Sequence, residues 1–148
     1  MGFVDIKAEI QFELNRVNQA IESAVQDQLP QYVNKIMAYV LNNQGKQIRP
    51  TLSLLLFKSI SQNRPLTEIE IKQIAAIELI HIGSLVHDDI IDDAKERRNQ
   101  LTVHEVWNNK SAVATGTFLY AVAINLLCTY ENTTILMAAS ETVRQMCI

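Results

Sequence analysis

The sequence predicts an all-α protein, and three observations lead to that class. Apolar residues recur at intervals of three and four, as at Ile6, Ile10, Leu14, Val17 and Ile21, which is the spacing of one face of a helix. No segment alternates apolar and polar residues for long enough to indicate a half-buried strand. The 148 residues include only four glycines and three prolines, so signals that interrupt helices are few.

The first three predicted helices are separated by prolines. An amphipathic helix is expected over 5–28, stopping before Pro30. A second helix follows over 30–43, because the missing N–H of proline suits a first-turn position. After a break in the pattern, Pro50 is expected to start an apolar third helix that runs through Ile60.

The fourth helix is the longest predicted element. It follows a loop at 61–64, and Thr67 and Glu70 have the spacing of a capping box, in which each side chain bonds the backbone N–H of the other residue. The helix is expected to end in the aspartates at 88–93, and a polar turn over 95–100 follows.

The remaining chain is predicted to contain a short segment around Val103 and Trp107, an uncharged helix over 111–130 and a last helix from Thr133. The uncharged stretch is about as long as a bilayer is thick. Its threonines and asparagine favour a buried central helix over a transmembrane segment. The last helix is still periodic where the sequence stops at Ile148, so residues 1–148 are expected to be the N-terminal portion of a single larger domain.

Composition limits the classes of function. A content of 48% hydrophobic and 20% charged residues is typical of a globular domain with a core. The net charge of −3 gives no general attraction to nucleic acid, so an anionic ligand requires a local basic cluster. Cys128 and Cys147 lack metal-site or disulfide spacing, and no signal peptide is visible, which favours a cytoplasmic location.

Four aspartates at the end of the fourth helix, Asp88, Asp89, Asp92 and Asp93, are the most informative feature. Aspartate is a poor helix former, and negative charge at a helix C-terminus opposes the helix dipole. Asp88 and Asp92 share one helical face about 5–6 Å apart. Such a pair suits Mg²⁺, which takes oxygen ligands and leaves positions for phosphates. A solvated acidic helix end is the alternative, and the apolar residues before it argue against that interpretation.

Basic residues accompany the aspartates. Lys46 and Arg49 flank a tight loop at a helix start, where backbone N–H groups favour an anion. Arg97 and Arg98 can recognise phosphate in a bidentate manner. His81 lies seven residues before the first aspartate, hence on the same face about two turns away. Each feature alone has an ordinary interpretation, but together they predict a metal-binding wall surrounded by cationic positions for diphosphates.

These residues resemble the first aspartate-rich region of trans-polyprenyl diphosphate synthases. The motifs at 45–46, 49–50, 78–87, 88–92 and 97–98 occur in that family's order and spacing. The resemblance covers essentially the whole chain, but only the N-terminal half of the family's domain. It implies an antiparallel helical bundle of the isoprenoid synthase type around a deep cleft. It also implies condensation of isopentenyl diphosphate with an allylic diphosphate to make a medium- or long-chain polyprenyl diphosphate.

The resemblance also assigns roles by position. Asp88 and Asp92 are expected to ligate Mg²⁺, and Asp89 completes the catalytic motif beside them. Arg97 is expected to bind the allylic diphosphate. Four residues are expected to bind isopentenyl diphosphate: Lys46, Arg49, His81 and Arg98. Gly83 and Ser84, one turn before the aspartates, are expected to set product length, since neither is large enough to close a tunnel.

The sequence also departs from the family pattern. Gln44 and Gln47 replace a usual Gly and Arg, Asn99 replaces a Gly, and Thr117 stands where Asp or Asn is usual. In having Thr117 at this position, the sequence resembles the catalytic subunit of two-component heptaprenyl or hexaprenyl synthases. The family's second aspartate-rich motif is absent from the 148 residues. Weak activity of this chain alone is therefore expected, together with assembly as a homo-oligomer or with a second synthase chain.

Two alternatives remain open at this point. The chain could be a non-catalytic half or subunit that binds metal and diphosphate and assembles with a partner. It could also be an all-helical, Mg²⁺-dependent nucleotide diphosphohydrolase, since such an enzyme also mounts paired carboxylates on helices. The reaction product, a prenyl chain or a nucleoside monophosphate, discriminates between synthase and hydrolase.

Overall fold

The computed structural model describes residues 7–26, 29–43, 45–129 and 133–146. Its helices are α1 Gln11–Val25, α2 Gln31–Leu41, α3 Ile48–Ile60, α4 Glu68–Ile91, α5 Val103–Val106, α6 Asn109–Cys128 and α7 Thr133–Met146. A short antiparallel hairpin, β1 Glu96–Arg97 and β2 Gln100–Leu101, separates α4 from α5. The predicted all-α class is confirmed. The prediction of one continuous helix over 5–28 is wrong, because the helix is interrupted at Ile10 (φ −120°, ψ 14°) and α1 runs from Gln11 to Val25. Residues 5–6, 27–28 and 147–148, at the ends of the predicted first and last helices, lie outside the described residues.

Helix α4 begins at the predicted capping box. The Thr67 hydroxyl accepts a hydrogen bond from the Glu70 N–H, and the Glu70 carboxylate accepts one from the Thr67 N–H at 2.8 Å. Arg64 pairs with Glu70 at 2.6 Å and lowers the pKa of that carboxyl group to about 2. The start of the helix is therefore held by both hydrogen bonds and charge.

The end of α4 is a Schellman motif built without glycine. Asp93 adopts a left-handed conformation, with φ 52°. The Ala94 N–H donates to the Asp89 carbonyl oxygen at 2.9 Å, and the Asp93 N–H donates to the Ile90 carbonyl oxygen at 3.3 Å. These bonds satisfy carbonyl groups that the helix itself leaves unpaired. The chain turns sharply after the aspartates as a result.

Helix α4 is the central element and packs closely on α6. A Cβ atom added to Gly83 would lie 3.1 Å from the Gly116 carbonyl oxygen, and one added to Gly116 would lie 2.3 Å from His87 Nε2. His87 Nε2 donates to the Val113 carbonyl oxygen at 3.1 Å, which ties the two helices together by a polar contact. Helices α1 and α3 pack on other sides of α4. The position of α4 is thus fixed from several directions.

Helix α6 is partly buried. Its buried residues are small or aliphatic and lie mainly on the side that meets α4: Ala112, Thr115, Gly116, Leu119, Ala123 and Leu127. Val113 and Ile124 are half exposed on the rest of its surface. The predicted burial of this helix is therefore confirmed only for the face that packs on α4. By length and composition, α6 is the single candidate membrane-spanning helix in the described part of the chain, which is weak support for a span because core helices share these properties.

Helix α3 begins earlier than the sequence predicts. The expectation that Pro50 starts this helix is wrong, because the helix begins at Ile48, with Gln47 at its N-cap in a left-handed conformation. Pro50 is tolerated at the third helical position since the first N–H groups of a helix have no internal partner.

The segment predicted as a polar turn is the β1–β2 hairpin. Glu96 pairs with Leu101 and Arg97 with Gln100. Arg98 and Asn99, with φ 55° and 61°, form a two-residue connection with both central residues at positive φ, as in a type I′ turn. Strands of two residues are too short to show the alternation by which strands are recognised.

We expect Asp93→Gly to raise the free energy of unfolding by about 1 kcal/mol, because glycine adopts left-handed φ without a Cβ penalty and the change removes negative charge from a helix C-terminus. Asp93→Ala is the matched control, since it removes the same charge but keeps a Cβ. Urea denaturation measures both variants. Equal stabilisation by Ala and Gly would show that conformational strain at this residue contributes nothing.

Candidate functional site

A pocket lined by basic side chains lies where the loop before α3, helix α4 and the hairpin meet. Lys46, Arg49, His81 and Arg98 line this space of about 400 Å³, which we call the cation pocket. These are the four residues that the family resemblance assigns to isopentenyl diphosphate. The structure brings them together from three separate chain segments, although their binding role remains a prediction.

Arg98 is placed by the hairpin and by a glycine. Its Nη1 atom donates to the Asn43 carbonyl oxygen at 2.6 Å. Gly45 has φ +63°, and a Cβ added there would lie 2.3 Å from the Arg98 Cζ atom. Glycine at position 45 therefore serves two purposes: it permits the left-handed backbone, and it leaves room for the guanidinium.

Two of the cations are unpaired. Within the described residues, the side chains of Lys46 and Arg49 form no ion pair and no hydrogen bond, and both residues are exposed. They lie beside the start of α3, where unpaired N–H groups and the helix dipole also favour negative charge. This combination suits a polyanion such as a diphosphate.

His81 is uncharged at neutral pH in this pocket. Burial lowers the pKa of His81 to about 4, and the nearby guanidinium groups of Arg49, Arg98 and Arg97 add to the effect. A neutral imidazole can donate one hydrogen bond to a phosphate oxygen. An anion that neutralises the surrounding cations would raise this pKa again.

Glu78 is a site residue that the sequence reasoning did not single out. It lines the cation pocket and is only 4% exposed. Burial raises the pKa of Glu78, while the charges of Arg49 and Arg98 oppose that rise. Its position three residues before His81, hence on the same helical face, was a signal available in the sequence.

The four aspartates occupy different environments. Asp88, Asp92 and Asp93 are exposed at the end of α4, whereas Asp89 is buried. Arg97 Nε donates to Asp89 Oδ1 at 2.6 Å. Asp89 therefore orients Arg97 on the buried side of the C-terminal end of α4. The catalytic role of Asp89 remains a prediction.

Asp88 and Asp92 share the outward face predicted for the metal ligands. Across the described residues, no group of three or more His, Cys, Asp or Glu side chains is arranged to hold a metal ion. Two carboxylates fit Mg²⁺ as a partial ligand set, because this ion keeps several positions for water and phosphate oxygens. Further ligands would have to come from the substrate or from another part of the protein.

A small cavity of about 60 Å³ joins the acidic and basic parts of the site. Asp89 and Arg97 line it together with Glu78, His81 and Arg98, which also face the cation pocket. The acidic end of α4 and the cation pocket are therefore connected through residues of the same helix, Glu78, His81 and Asp89.

An apolar groove adjoins the cation pocket. This space of about 510 Å³ is lined by residues of α4, α6 and α7, and Arg49 and His81 line both it and the cation pocket. Ile77, Ile80, Leu127, Ile135, Ala138, Ala139 and Met146 provide its apolar lining. The groove offers apolar surface beside a basic pocket, which suits a ligand with a charged head and an apolar tail.

Gly83 and Ser84 line neither the groove nor the cation pocket. Gly83 faces α6, and Ser84 is buried with its hydroxyl group donating to the His81 carbonyl oxygen at 2.8 Å. Their role in product length remains a prediction, and the structure places Ile77 and Ile80 of the same helix nearer the apolar path.

The polyprenyl synthetase family model matches residues 30–148. Heptaprenyl diphosphate synthase component 2 of Geobacillus stearothermophilus is 33% identical over 138 residues, which cover 91% of this chain and 41% of that protein. Decaprenyl-diphosphate synthase of Dictyostelium discoideum is 38% identical over 100 residues, covering 68% and 22%.

A solved structure shows the same fold. The crystal structure of heptaprenyl diphosphate synthase from Staphylococcus aureus superimposes with a TM-score of 0.84 at 28% identity, covering 93% of this chain and 43% of that chain. The chain spans less than half the length of each of these three proteins.

Gly45→Ala is expected to destabilise the protein by roughly 1–2 kcal/mol, because alanine is strained at positive φ and its Cβ displaces the Arg98 guanidinium. Combining it with Arg98→Ala separates the two causes in a double-mutant cycle. Chemical denaturation of the four proteins should show a smaller cost of Gly45→Ala in the Arg98→Ala background. Additive costs would contradict the steric contact.

Proposed function

The chain belongs to the polyprenyl synthetase family, and from that premise we propose that it is the N-terminal, substrate-binding portion of a trans-polyprenyl diphosphate synthase domain. The proposed reaction joins isopentenyl diphosphate to an allylic diphosphate. The observation that carries the proposal is the convergence of Lys46, Arg49, His81 and Arg98 on one pocket. The helix that carries His81 ends in the exposed aspartates Asp88 and Asp92.

Each part of the site has a proposed task. The cation pocket binds isopentenyl diphosphate, with neutral His81 as a hydrogen-bond donor. Arg97, oriented by Asp89, binds the allylic diphosphate. Asp88 and Asp92 would hold Mg²⁺, which when bound stabilises negative charge on the departing diphosphate. The allylic carbon–oxygen bond breaks as the diphosphate leaves with the bonding electrons, and the isopentenyl double bond forms the new carbon–carbon bond at that carbon. The resulting cation then loses a proton to the departed diphosphate, which restores a double bond.

The apolar groove supports an isoprenoid substrate over a nucleotide. Its lining is mostly apolar, and Arg49 and His81 are shared with the cation pocket, which suits a molecule with a charged head and an apolar tail. A medium- or long-chain product is proposed, in keeping with the decaprenyl and heptaprenyl products named for the relatives. The nucleotide diphosphohydrolase alternative gains no support from this lining.

Exposed apolar surface supports the proposal that 1–148 is a portion of one domain. Ile48, Leu52, Leu56 and Ile60 form a stripe along α3, each between 54% and 82% exposed. Helix α7 has no buried residue among its described positions. Apolar stripes of this kind are usually covered. We propose that the complementary portion of the synthase domain covers them and supplies the remaining metal ligands.

The covering portion could belong to a longer form of this chain or to a separate synthase chain. The Geobacillus stearothermophilus relative is itself named as a component, which supports a heteromer, and a homo-oligomer remains the second form of the same proposal. A cytoplasmic location is proposed with it, with α6 as a domain helix rather than a transmembrane span.

The metal assignment predicts the behaviour of Asp88→Ala and Asp92→Ala. Each should weaken Mg²⁺-dependent binding of pyrophosphate by at least about tenfold, since a metal ligand is lost. Stability without metal should hold or rise because repulsion between the i and i+4 carboxylates is relieved. Calorimetry on the purified chain measures binding. Asp93→Asn removes a neighbouring charge outside the proposed ligand pair and serves as the control; unchanged binding in both alanine variants would refute the assignment.

The protonation of His81 should depend on both pH and bound pyrophosphate. Its pKa of about 4 lies below the ordinary value of 6.5, so its contribution to stability is present above pH 6.5 and is lost as the pH falls towards 4. His81→Asn should therefore flatten the acid limb of the stability profile. Pyrophosphate should raise the pKa, measured by NMR titration with the variant used to identify the resonance. A His81 pKa near 6.5 that does not change when pyrophosphate is added would contradict the placement of His81 in an anion-binding pocket.

A further inference from the structure

Glu78 is a buried carboxylate that lacks a partner. It is 4% exposed, and its Oε2 atom has no hydrogen-bond partner. In the part of the chain that the structure describes, no Lys, Arg or His nitrogen lies within 4.0 Å of its carboxylate. Buried carboxylates are normally paired or hydrogen-bonded, because removing the charge from water is costly. Glu78 therefore needs an explanation that packing alone does not provide.

The surroundings of Glu78 are mostly basic. Arg49 faces it from α3, and Arg98 faces it from the hairpin tip. Lys46 contributes from the loop before α3, and His81 from α4 itself, since both line the same pocket as Glu78. The two arginines attract the carboxylate from a distance but do not bond it, and His81 is uncharged at neutral pH.

The other ionisable groups near Glu78 are already engaged. Asp89 and Arg97, which share the small cavity with Glu78, bond each other. Tyr39 of α2 lines that cavity, and its hydroxyl group donates to the Leu101 carbonyl oxygen at 2.7 Å. Glu78 is thus the acidic group that balances the unpaired cations while the pocket holds no anion.

An entering diphosphate changes this balance. It brings at least two negative charges to the cations that Glu78 faces, so the ionised carboxylate is repelled by the ligand and loses the benefit of those cations. The neutral acid avoids that repulsion. Burial already favours the neutral form of Glu78, so the group is poised to change charge.

We propose that Glu78 is a positioning residue that takes up one proton from solvent when a diphosphate group enters the cation pocket, which makes capture of the isoprenoid diphosphate proton-coupled. The carboxylate oxygen gains the proton and no other bond forms or breaks. This inference rests on the proposed function of the same pocket. Before binding, the charged carboxylate attracts Arg49 and Arg98 through space; after binding, the neutral acid no longer competes with phosphate for these two guanidinium groups.

The test is calorimetric titration of inorganic pyrophosphate into the 148-residue chain. Measurements in two buffers of different ionisation enthalpy at pH 8 give the number of protons taken up per ligand bound. The proton changes of pyrophosphate itself cancel in the difference between wild type and Glu78→Gln. Glu22→Gln, an exposed glutamate of α1, controls for the loss of one negative charge far from the pocket.

Wild type should take up more protons than Glu78→Gln, by up to one per site, and Glu22→Gln should match wild type. Glu78→Gln should bind pyrophosphate several-fold more tightly at pH 8, and the advantage should vanish near pH 4, where Glu78 itself is neutral. A residue that only supports the fold would instead weaken binding at every pH when replaced. Equal proton uptake with or without Glu78, or weaker binding by Glu78→Gln, would overturn the proposal.

A ligand-free measurement separates this inference from the proposed function. Because the pKa of Glu78 is raised in the folded state, its contribution to stability is present at low pH and is lost as the pH rises through that pKa. The stability of Glu78→Gln relative to wild type should therefore increase with pH; a relative decrease would contradict the charge assigned to Glu78.

Failure of all variants to bind pyrophosphate would contradict the proposed function, whereas binding with unchanged proton uptake would contradict only the coupling. Glu78→Leu provides a second neutral variant in case the glutamine amide forms new bonds.

Discussion

The close approach of α4 to α6 is the packing constraint on which the rest of the structure depends. Gly83 and Gly116 allow the backbones to meet, and the His87 ring occupies the space that a side chain at Gly116 would fill. With one face of α4 fixed in this way, its other faces are fixed too. Glu78 and His81 then face the loop before α3 and the hairpin, and the aspartates emerge at the end of the helix. A slip of α4 along α6 would separate the carboxylates from the cations.

The ionisable groups along α4 differ in how they are paired, and the difference follows their burial. Asp89 is buried and paired with Arg97, whereas Asp88 and Asp92 are in solvent, where repulsion is screened by water. Glu78 is buried without a bond. The aspartates are unfavourable for the end of a helix, and α4 tolerates them because its start is capped and its middle is packed on three helices. The cap and the packing of α4 thus offset the cost of the aspartates at its C-terminal end.

Local signals predicted the features that depend on a few neighbouring residues. The capping box at Thr67, the helical class and the shared face of Asp88 and Asp92 follow from spacing alone. The hairpin did not follow, because its two-residue strands have no pattern and its turn uses Arg98 and Asn99 at positive φ instead of glycine. The bond from Arg97 to Asp89 and the burial of Glu78 depend on where that hairpin folds back, which is tertiary information. The start of α3 at Ile48 was missed because proline was taken as a first residue, although it also fits the third.

We propose that this chain carries the substrate-binding half of a prenyltransferase site, with the other half of the metal site supplied from elsewhere. Incorporation of radiolabelled isopentenyl diphosphate into prenyl chains tests it most directly. The assay uses the purified chain with an allylic diphosphate and Mg²⁺, alone and with the separately expressed C-terminal half of the Geobacillus stearothermophilus relative. Little incorporation by the chain alone, and incorporation that appears with the added half and disappears with Asp88→Ala, is the predicted result. Steady incorporation by the chain alone, or incorporation by the mixture that survives Asp88→Ala, would contradict the account.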